Sequence, residues 1–454
     1  MDLKEILDFS RPADEVIKDL RIYNKDVEPW SKIEKDYYPE KHRICTDNRR
    51  DKIRGDGGVE KASSIHLGLE QLIVRRMSEF IFGIPVKRVY YNADGERQKI
   101  VDALERIYQH ARIDAMNYER SKYYFASCEA STLWYSVEKE NTFYGFPSKY
   151  KLKCANYSPM NGYEIYPLFD EMSDLVAISF EYQKTIADKR VSFFETFTEG
   201  RHILWKNEDG WKVEIDAPLK IGKIPIIYIQ RSKPLFYGLS HIREEIEYTL
   251  SRNSDVVAYN CAPILKVSGL VSKGENKGEA RRIYRTENGG DVSYVSWSQA
   301  NEALKYHVDT LLKMFFMQSQ LPDISFDAMK SLGSIGYDAR QTLFMDAHLR
   351  VRDEQGAFIE FLDREMNVVK AFLKQANTEW SNDIDDIEVE HVITPYVQND
   401  IQADIVKWTT ACGGKPIMSQ LEAIKQFGYS DDAEETLRQI QQENISENIE
   451  TIFQ

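Results

Sequence analysis

Between Gly238 and Asp323 the chain reads as two long helices of similar length separated by a short β segment, and few architectures accommodate that order. The first helix opens at Gly238-Leu239-Ser240, with Ser240 placed to cap it. It carries Ile242, Ile246, Leu250, Val256 and Val257 at helical spacing and stops before Ala262-Pro263, because proline disfavours the helical conformation of its predecessor. The returning helix is predicted over 298–320, with Leu304, Val308, Leu311, Leu312 and Phe315 on one face, and ends at Leu321-Pro322-Asp323. At 1.5 Å per residue each rod is roughly 30–35 Å long, so the two can lie antiparallel and hold the β segment away from the rest of the molecule.

That segment is too small for a core of its own. Ile264-Leu265-Lys266-Val267 and Asp291-Val292-Ser293-Tyr294-Val295 read as strands. Between them lie a polar, glycine-bearing stretch, Ser272 to Gly278 with Lys273 and Lys277, and the basic run Arg281-Arg282-Ile283-Tyr284-Arg285. From Cys261 to Trp297 there are six Lys/Arg against four Asp/Glu, whereas the whole chain of 454 residues carries a net charge of -14. The local reversal of sign reads either as a docking surface or as a solvated loop of mixed charge. The overall acidity argues against a free-standing nucleic-acid binder of the basic kind, because phosphate contacts supply most of that affinity. It leaves room for a protein that DNA slides past.

Elsewhere the periodicity alternates between helix and strand. A helix is expected over 64–82, ended by Gly83-Ile84-Pro85, then a strand over 86–91 and helices over 99–110 and 114–125. Residues 133–137, 175–182, 191–197, 202–205, 211–215 and 226–229 alternate apolar and polar positions and predict an antiparallel meander. Ser325 to Gly336 reads as a loop, and 337–375 as one long helix interrupted at Gly356. A strand over 387–392 is placed to join the earlier sheet, and a helix capped by Ser419 runs to Phe427. Together these elements predict an α+β fold.

Motifs for chemistry are sparse. Gly238-Leu239-Ser240-His241-Ile242 begins like a nucleophile elbow but lacks the closing glycine. Arg54-Gly55-Asp56-Gly57-Gly58 lacks the continuation a phosphate-cradling loop needs. The eight histidines show no HExxH, and Asp383, Asp385 and Asp386 are out of register with a calcium loop. Five widely separated cysteines suit free thiols better than a disulfide framework. The start of the chain shows no secretion signal, and no apolar run approaches the ~20 residues of a membrane helix. No catalytic residue, metal site or cofactor is expected, although an α+β hydrolase with a site assembled from distant residues remains an alternative, as does another ring-forming scaffold.

The order of parts resembles the portal proteins, or head-tail connectors, of long-tailed bacteriophages. Phe80-Ile81-Phe82-Gly83-Ile84-Pro85 is similar to the aromatic-x-Gly-x-Pro end of an early helix in that family. Lys223-Ile224-Pro225-Ile226 before Gly238-Leu239-Ser240 resembles the approach to its stem helix, and Gln320-Leu321-Pro322-Asp323 with Gly333-Ser334-Ile335-Gly336 resembles the end of the second stem helix and the tunnel loop. Thr394-Pro395, Asn399-Asp400 and Lys415-Pro416-Ile417-Met418-Ser419 resemble the path into a helical crown. Where relatives often carry glycine after the tyrosine-rich helix, this chain has Ser127-Cys128-Glu129.

The resemblance implies an N-terminal wing (1–236), a stem (237–260 and 298–323), a clip (261–297), a return to the wing (324–395) and a crown (396–454). It implies a dodecameric ring at the portal vertex of a virion capsid, assembled in the host cytoplasm, through which double-stranded DNA is packaged and ejected without sequence specificity. Terminase, a head-tail adaptor and the major capsid protein would be its partners. Met329, Lys330, Ser331, Leu332, Gly333 and Ser334 would face the DNA in the tunnel loop. Lys305 and Lys313 would face the stem channel, and Lys273, Lys277, Arg281, Arg282 and Arg285 would dock partners at the clip.

Overall fold

The computed structural model describes residues 6–7, 10–22, 25–53, 55–260, 265–268, 271–276, 282–286, 291–294, 301–323, 344–396, 410, 419–427 and 434–442. The chain divides into two units, Met1–Met329 with Leu343–Tyr396, and Lys330–Thr342 with Val397–Gln454.

In the first unit, helices α1 (Ala13–Leu20), α2 (Trp30–Tyr37) and α3 (Leu69–Phe82) precede strand β1 (Lys87–Tyr91). Helices α4 (Arg97–Ala111) and α5 (Ile113–Ser127) follow. Next come β2 (Glu129–Asn141), β3 (Ser148–Tyr157), β4 (Glu164–Phe169), β5 (Leu175–Ile186), β6 (Lys189–Thr198), β7 (Arg201–Asn207), β8 (Trp211–Pro218) and β9 (Ile226–Gln230). All pair antiparallel, but in two sheets: one in the order β8-β7-β6-β5-β4 and one in the order β9-β2-β3. The expected six strands are all present. Strands β3 and β4 are additions, and Pro167 is tolerated in β4 because that strand lies at an edge.

Alternation along the five-stranded sheet decides where its faces go. Phe193 and Phe197 point to one core with Ile178 and Phe180, while Phe194, Ile203 and Trp205 point to the other face, where Val16, Ile17 and Leu20 of α1 cover them. The largest core lies under α3, α4, α5 and the long helix α8 defined below. It is tied by a buried ion pair, Lys25 to Glu129 at 2.6 Å, with Tyr228 donating to the same carboxylate at 2.8 Å. Between α5 and β2 the chain turns at Cys128, whose φ of 66° is the left-handed conformation that glycine usually supplies. Its thiol is buried, and burial pushes its pKa up to about 12, so it is held as an unreactive thiol. Cys45, Cys128 and Cys154 are all free.

Two helices form the rod expected from the sequence: α6 (Ser240–Asn260) and α7 (Asn301–Ser319) pack on each other. Arg243 N–H donates to Leu239 O at 3.2 Å, so Leu239 holds the cap position and Ser240 lies one residue inside the helix. Among the described residues the segment between them has four strands where two were expected: β10 (Leu265–Ser268) pairs with β13 (Asp291–Tyr294), and β11 (Val271–Asn276) with β12 (Arg282–Thr286). The polar, glycine-bearing stretch that starts at Ser272 is largely β11, with a register shift between Ser272 and Glu275.

Helix α8 (Met345–Ala376) runs unbroken through Gly356. It buries Val351, Phe358, Phe361, Leu362, Met366 and Val369, and Phe358 meets Phe82 and Tyr124 with ring centroids 5.0 Å away in each case. Gly356 faces solvent, and nothing lies within 4 Å of a Cβ built there. Gly356→Ala is expected to raise stability by roughly 0.5–1 kcal/mol, read as a higher thermal midpoint. An unchanged or lower midpoint would show that the site is not free. The strand after α8, β14 (Glu388–Val392), pairs with β1 instead of joining the meander.

In the second unit, α9 (Gln420–Phe427) and a helix over 434–442 are described. Ser419 Oγ accepts from Glu422 N–H at 3.2 Å, as expected of a cap at Ser419, and Glu422 Oε2 accepts in return from Ser419 N–H at 3.3 Å.

Candidate functional site: the helix pair and its root

A long antiparallel pair is useful mechanically only if its root is fixed. At the root of α6, Arg243 is fully buried and donates from Nε to Glu70 Oε1 at 2.8 Å, from Nη1 to Glu247 Oε2 at 3.1 Å and from Nη2 to Asp36 Oδ1 at 2.9 Å. One guanidinium thereby joins α2, α3 and α6, using the fixed fork geometry that lysine lacks. His42 completes the cluster, with Nδ1 2.7 Å from Glu247 Oε1 and Nε2 3.0 Å from the Asp36 carbonyl oxygen.

Above this cluster an extended strap, residues 63–67, lies along α6. Leu67 N–H donates to Glu247 Oε1 at 2.8 Å, Ile65 N–H to Ser251 Oγ at 2.8 Å and Ser63 N–H to Asp255 Oδ1 at 2.7 Å. Alternate residues of the strap thus meet every fourth residue of the helix, in opposite directions. The three bonds hold 63–67 as an extended segment, and α3 begins at Leu69, not at Ser64.

The end of α7 is held from two other elements. Arg350 of α8 donates to Ser319 O and, at 3.1 Å, to Leu235 O. Arg76 of α3 donates to Pro322 O at 2.9 Å, and its guanidinium lies 5.2 Å from the centre of the Phe316 ring. These arginines occupy the last carbonyls of the helix and the turn after it, where cations are favoured. Burial lowers the pKa of Arg350, with Arg231 adding to the effect, and burial lowers that of Arg76.

Glu247 sits below the ordinary carboxylate value of 4.5: burial works to raise it, but the His42 hydrogen bond, the Leu67 amide and the Arg243 charge outweigh burial. Asp255 is likewise lowered, by Ser63 and Arg50 against burial. Glu70 moves the other way, raised by burial despite Arg243, and its Oε2 is buried without a hydrogen-bond partner among the described residues. A carboxylate held low in the folded state contributes stability above its unfolded value and loses it as pH falls through the folded one. Exchange protection, corrected for intrinsic rates, is therefore expected to hold from neutral pH to about 4.5 at the Leu67 amide and to about 3.8 at the Ser63 amide, and to fall below those values. Protection constant through that acid range would remove Glu247 and Asp255 as the holding groups.

Of the residues singled out in the sequence, Lys305 and Lys313 are exposed on α7. With Glu302 and Asp309 they make a face of alternating sign at helical spacing. Lys273 lies on β11, and Arg282 and Arg285 on β12. Lys277, Arg281 and Met329, Lys330, Ser331, Leu332, Gly333 and Ser334 fall outside the described residues. The sequence reading missed the roles of Arg243, Arg350 and Arg76. A polar residue at every fourth position of a stem helix, Arg243, Glu247, Ser251 and Asp255, was the available signal.

Among the described residues no group of His, Cys, Asp and Glu is placed to hold a metal ion, and no helix is long and apolar enough to cross a membrane. The fold is α+β, and its long helix pair carrying a small β module defines a portal-type subunit. The family described as "Phage portal protein, SPP1 Gp6-like" matches residues 23–450, and the chain belongs to that family, a structural and not an enzymatic one. No curated protein matches the sequence significantly.

Two solved assemblies contain similar chains. One is described as the neck of an empty GTA particle computed with C6 symmetry, at 12% identity and TM-score 0.38, covering 79% of this chain and 90% of that one. The other is described as the virion of a native gene transfer agent (GTA) particle, at 10% identity and TM-score 0.38, covering 90% of this chain and 95% of that one. Neither alignment is close enough to carry over the role of a residue.

Proposed function

We propose that this chain is the subunit of a ring-shaped portal channel through which double-stranded DNA passes into and out of a capsid. The observation that carries this reading is the helix pair α6–α7 in a chain of the portal family, anchored at its root by Arg243, Arg350 and Arg76 and bearing a four-stranded module between its helices. In this reading residues 1–236 and 324–395 form the wing, 237–260 and 298–323 the stem, 261–297 the clip and 396–454 the crown.

The physical logic is that a head-to-tail contact repeated about an axis closes a ring, and rigid rods give each copy two stiff walls for that contact. Each neutralised phosphate adds affinity, so a duct that DNA traverses is served by weak attraction. The alternating Glu302, Lys305, Asp309 and Lys313 face and the net charge of -14 per chain suit that requirement. The clip, with Lys273, Arg282 and Arg285 on its strands, docks terminase during packaging and the tail adaptor afterwards, and the wing meets the major capsid protein.

Native mass measurement with electron imaging of assembled particles tests the reading. A closed ring of twelve at one capsid vertex is expected. Monomers or dimers under every assembly condition, with no ring in particles, would overturn it.

A further inference from the structure

Two apolar patches lie on opposite flanks of the helix pair, and neither is used in the contacts described so far. On the α6 flank, Lys52–Ile53 pairs with Val59–Glu60 in a minute hairpin, Ile53 facing Val59 across the ladder. Such a ladder is far too short to stand alone. Its base is closed instead by Asp51, which accepts from Ala62 N–H at 3.0 Å, and by Arg50, which donates to Ser63 O at 2.9 Å and to Asp255 of α6. The stem helix thus holds in a fixed place a hairpin whose apolar pair faces solvent: Ile53 is 82% exposed and Val59 62%.

The other flank belongs to α7. Phe315 is buried and Val308, Leu311 and Leu312 are half-buried on its inner side. Tyr306, Met314 and Met317 lie within about 80° of one another on the outer side, given 100° per residue. Tyr306 is 76% exposed and Met317 69%. The strap occupies the Glu247, Ser251 and Asp255 face of α6, whereas Glu245, about 120° round the helix from that face at 100° per residue, is the residue that lies 3.8 Å from His307 of α7, so the hairpin and α7 are on different flanks of α6.

We propose that the hairpin is an intersubunit arm, the Ile53–Val59 pair of one copy seating on the Tyr306, Met314 and Met317 stripe of the next copy of this chain. The inference rests on the ring reading above. A foreign partner needs one patch, whereas head-to-tail closure needs two different patches on opposite flanks of a single chain, and that is the arrangement found here. Two and three side chains are a small part of the roughly 20–30 residues that one partner gives to a standard interface, which suits an apolar centre ringed by polar groups. Methionine is the residue whose flexible side chain best adapts to an inserted β-branched pair.

The test is made on the full-length chain under assembly conditions. Ile53→Cys combined with Met314→Cys is expected to give inter-chain products with a short bis-maleimide that neither single variant gives. Ile53→Asp with Val59→Asp, both outside any core, is expected to lower the ring fraction at fixed concentration at least tenfold while leaving the circular dichroism spectrum unchanged. Normal ring yield from the Asp variant, or no specific cross-link within rings, overturns the arm while leaving the ring reading intact. No ring from the unmodified chain overturns both.

Discussion

Arg243→Ala is expected to lower the unfolding free energy of the first unit by about 3–5 kcal/mol, because removing one member of a buried charge cluster leaves its partners desolvated and unpaired. Glu70 and Glu247 are both fully buried, and Arg243 bonds to each. Denaturant titration followed by tryptophan fluorescence reads the loss, and exchange at the Leu67 amide reads its local consequence. Arg243→Lys should recover only part of the stability, since an ammonium cannot serve three carboxylates in fixed directions. A loss below about 1 kcal/mol for the alanine variant would mean that the cluster does not fix the root of the helix pair.

A loss of the same size is expected elsewhere from Glu365→Ala. This carboxylate accepts from Arg120 Nη1 at 2.7 Å and Nη2 at 2.9 Å, and from Trp134 Nε1 at 2.9 Å. All three side chains are buried, and Arg120 also lies 4.3 Å from the centre of the Phe361 ring. Truncating Glu365 strands a guanidinium and an indole N–H in the core between α5, α8 and β2, at about 3–5 kcal/mol. Replacing both ions, Arg120→Met with Glu365→Leu, should cost much less than the single change. A full double-mutant cycle measures this, and additive losses would show that the pair is not coupled.

The sequence made the helix pair legible because its apolar spacing is carried by adjacent residues. What it hid is where polar groups from distant segments meet. Ile65 and Leu69 fit one helical stripe, so periodicity extends α3 back to Ser64; in the fold, bonds from Ser63, Ile65 and Leu67 to α6, 180 to 192 positions away, hold that stretch extended. Gly356 looked like an interruption because glycine weakens helices, yet Phe358 and Val351 on either side of it bury enough apolar surface to carry the helix through. Strand β3 did announce itself, in Lys149, Lys151 and Lys153 alternating with Tyr150, Leu152 and Cys154, but its charge masked the period. The departure at Ser127-Cys128-Glu129 falls on the residue with positive φ, so a cysteine stands where the backbone would be served by glycine.

The strap on α6 works like a vernier. Four helical residues advance about 6.0 Å and two extended ones about 6.6 Å, so each successive contact slips by roughly 0.6 Å. Hydrogen-bond lengths spread by only about half an ångström, less than one such slip, so acceptors of equal reach could not hold three rungs in a row. Glutamate, serine and aspartate differ in reach, and the three bonds stay at 2.7–2.8 Å. The unequal side chains of Glu247, Ser251 and Asp255 thus take up the mismatch between two regular repeats and keep the strap in register with the rod up to the hairpin.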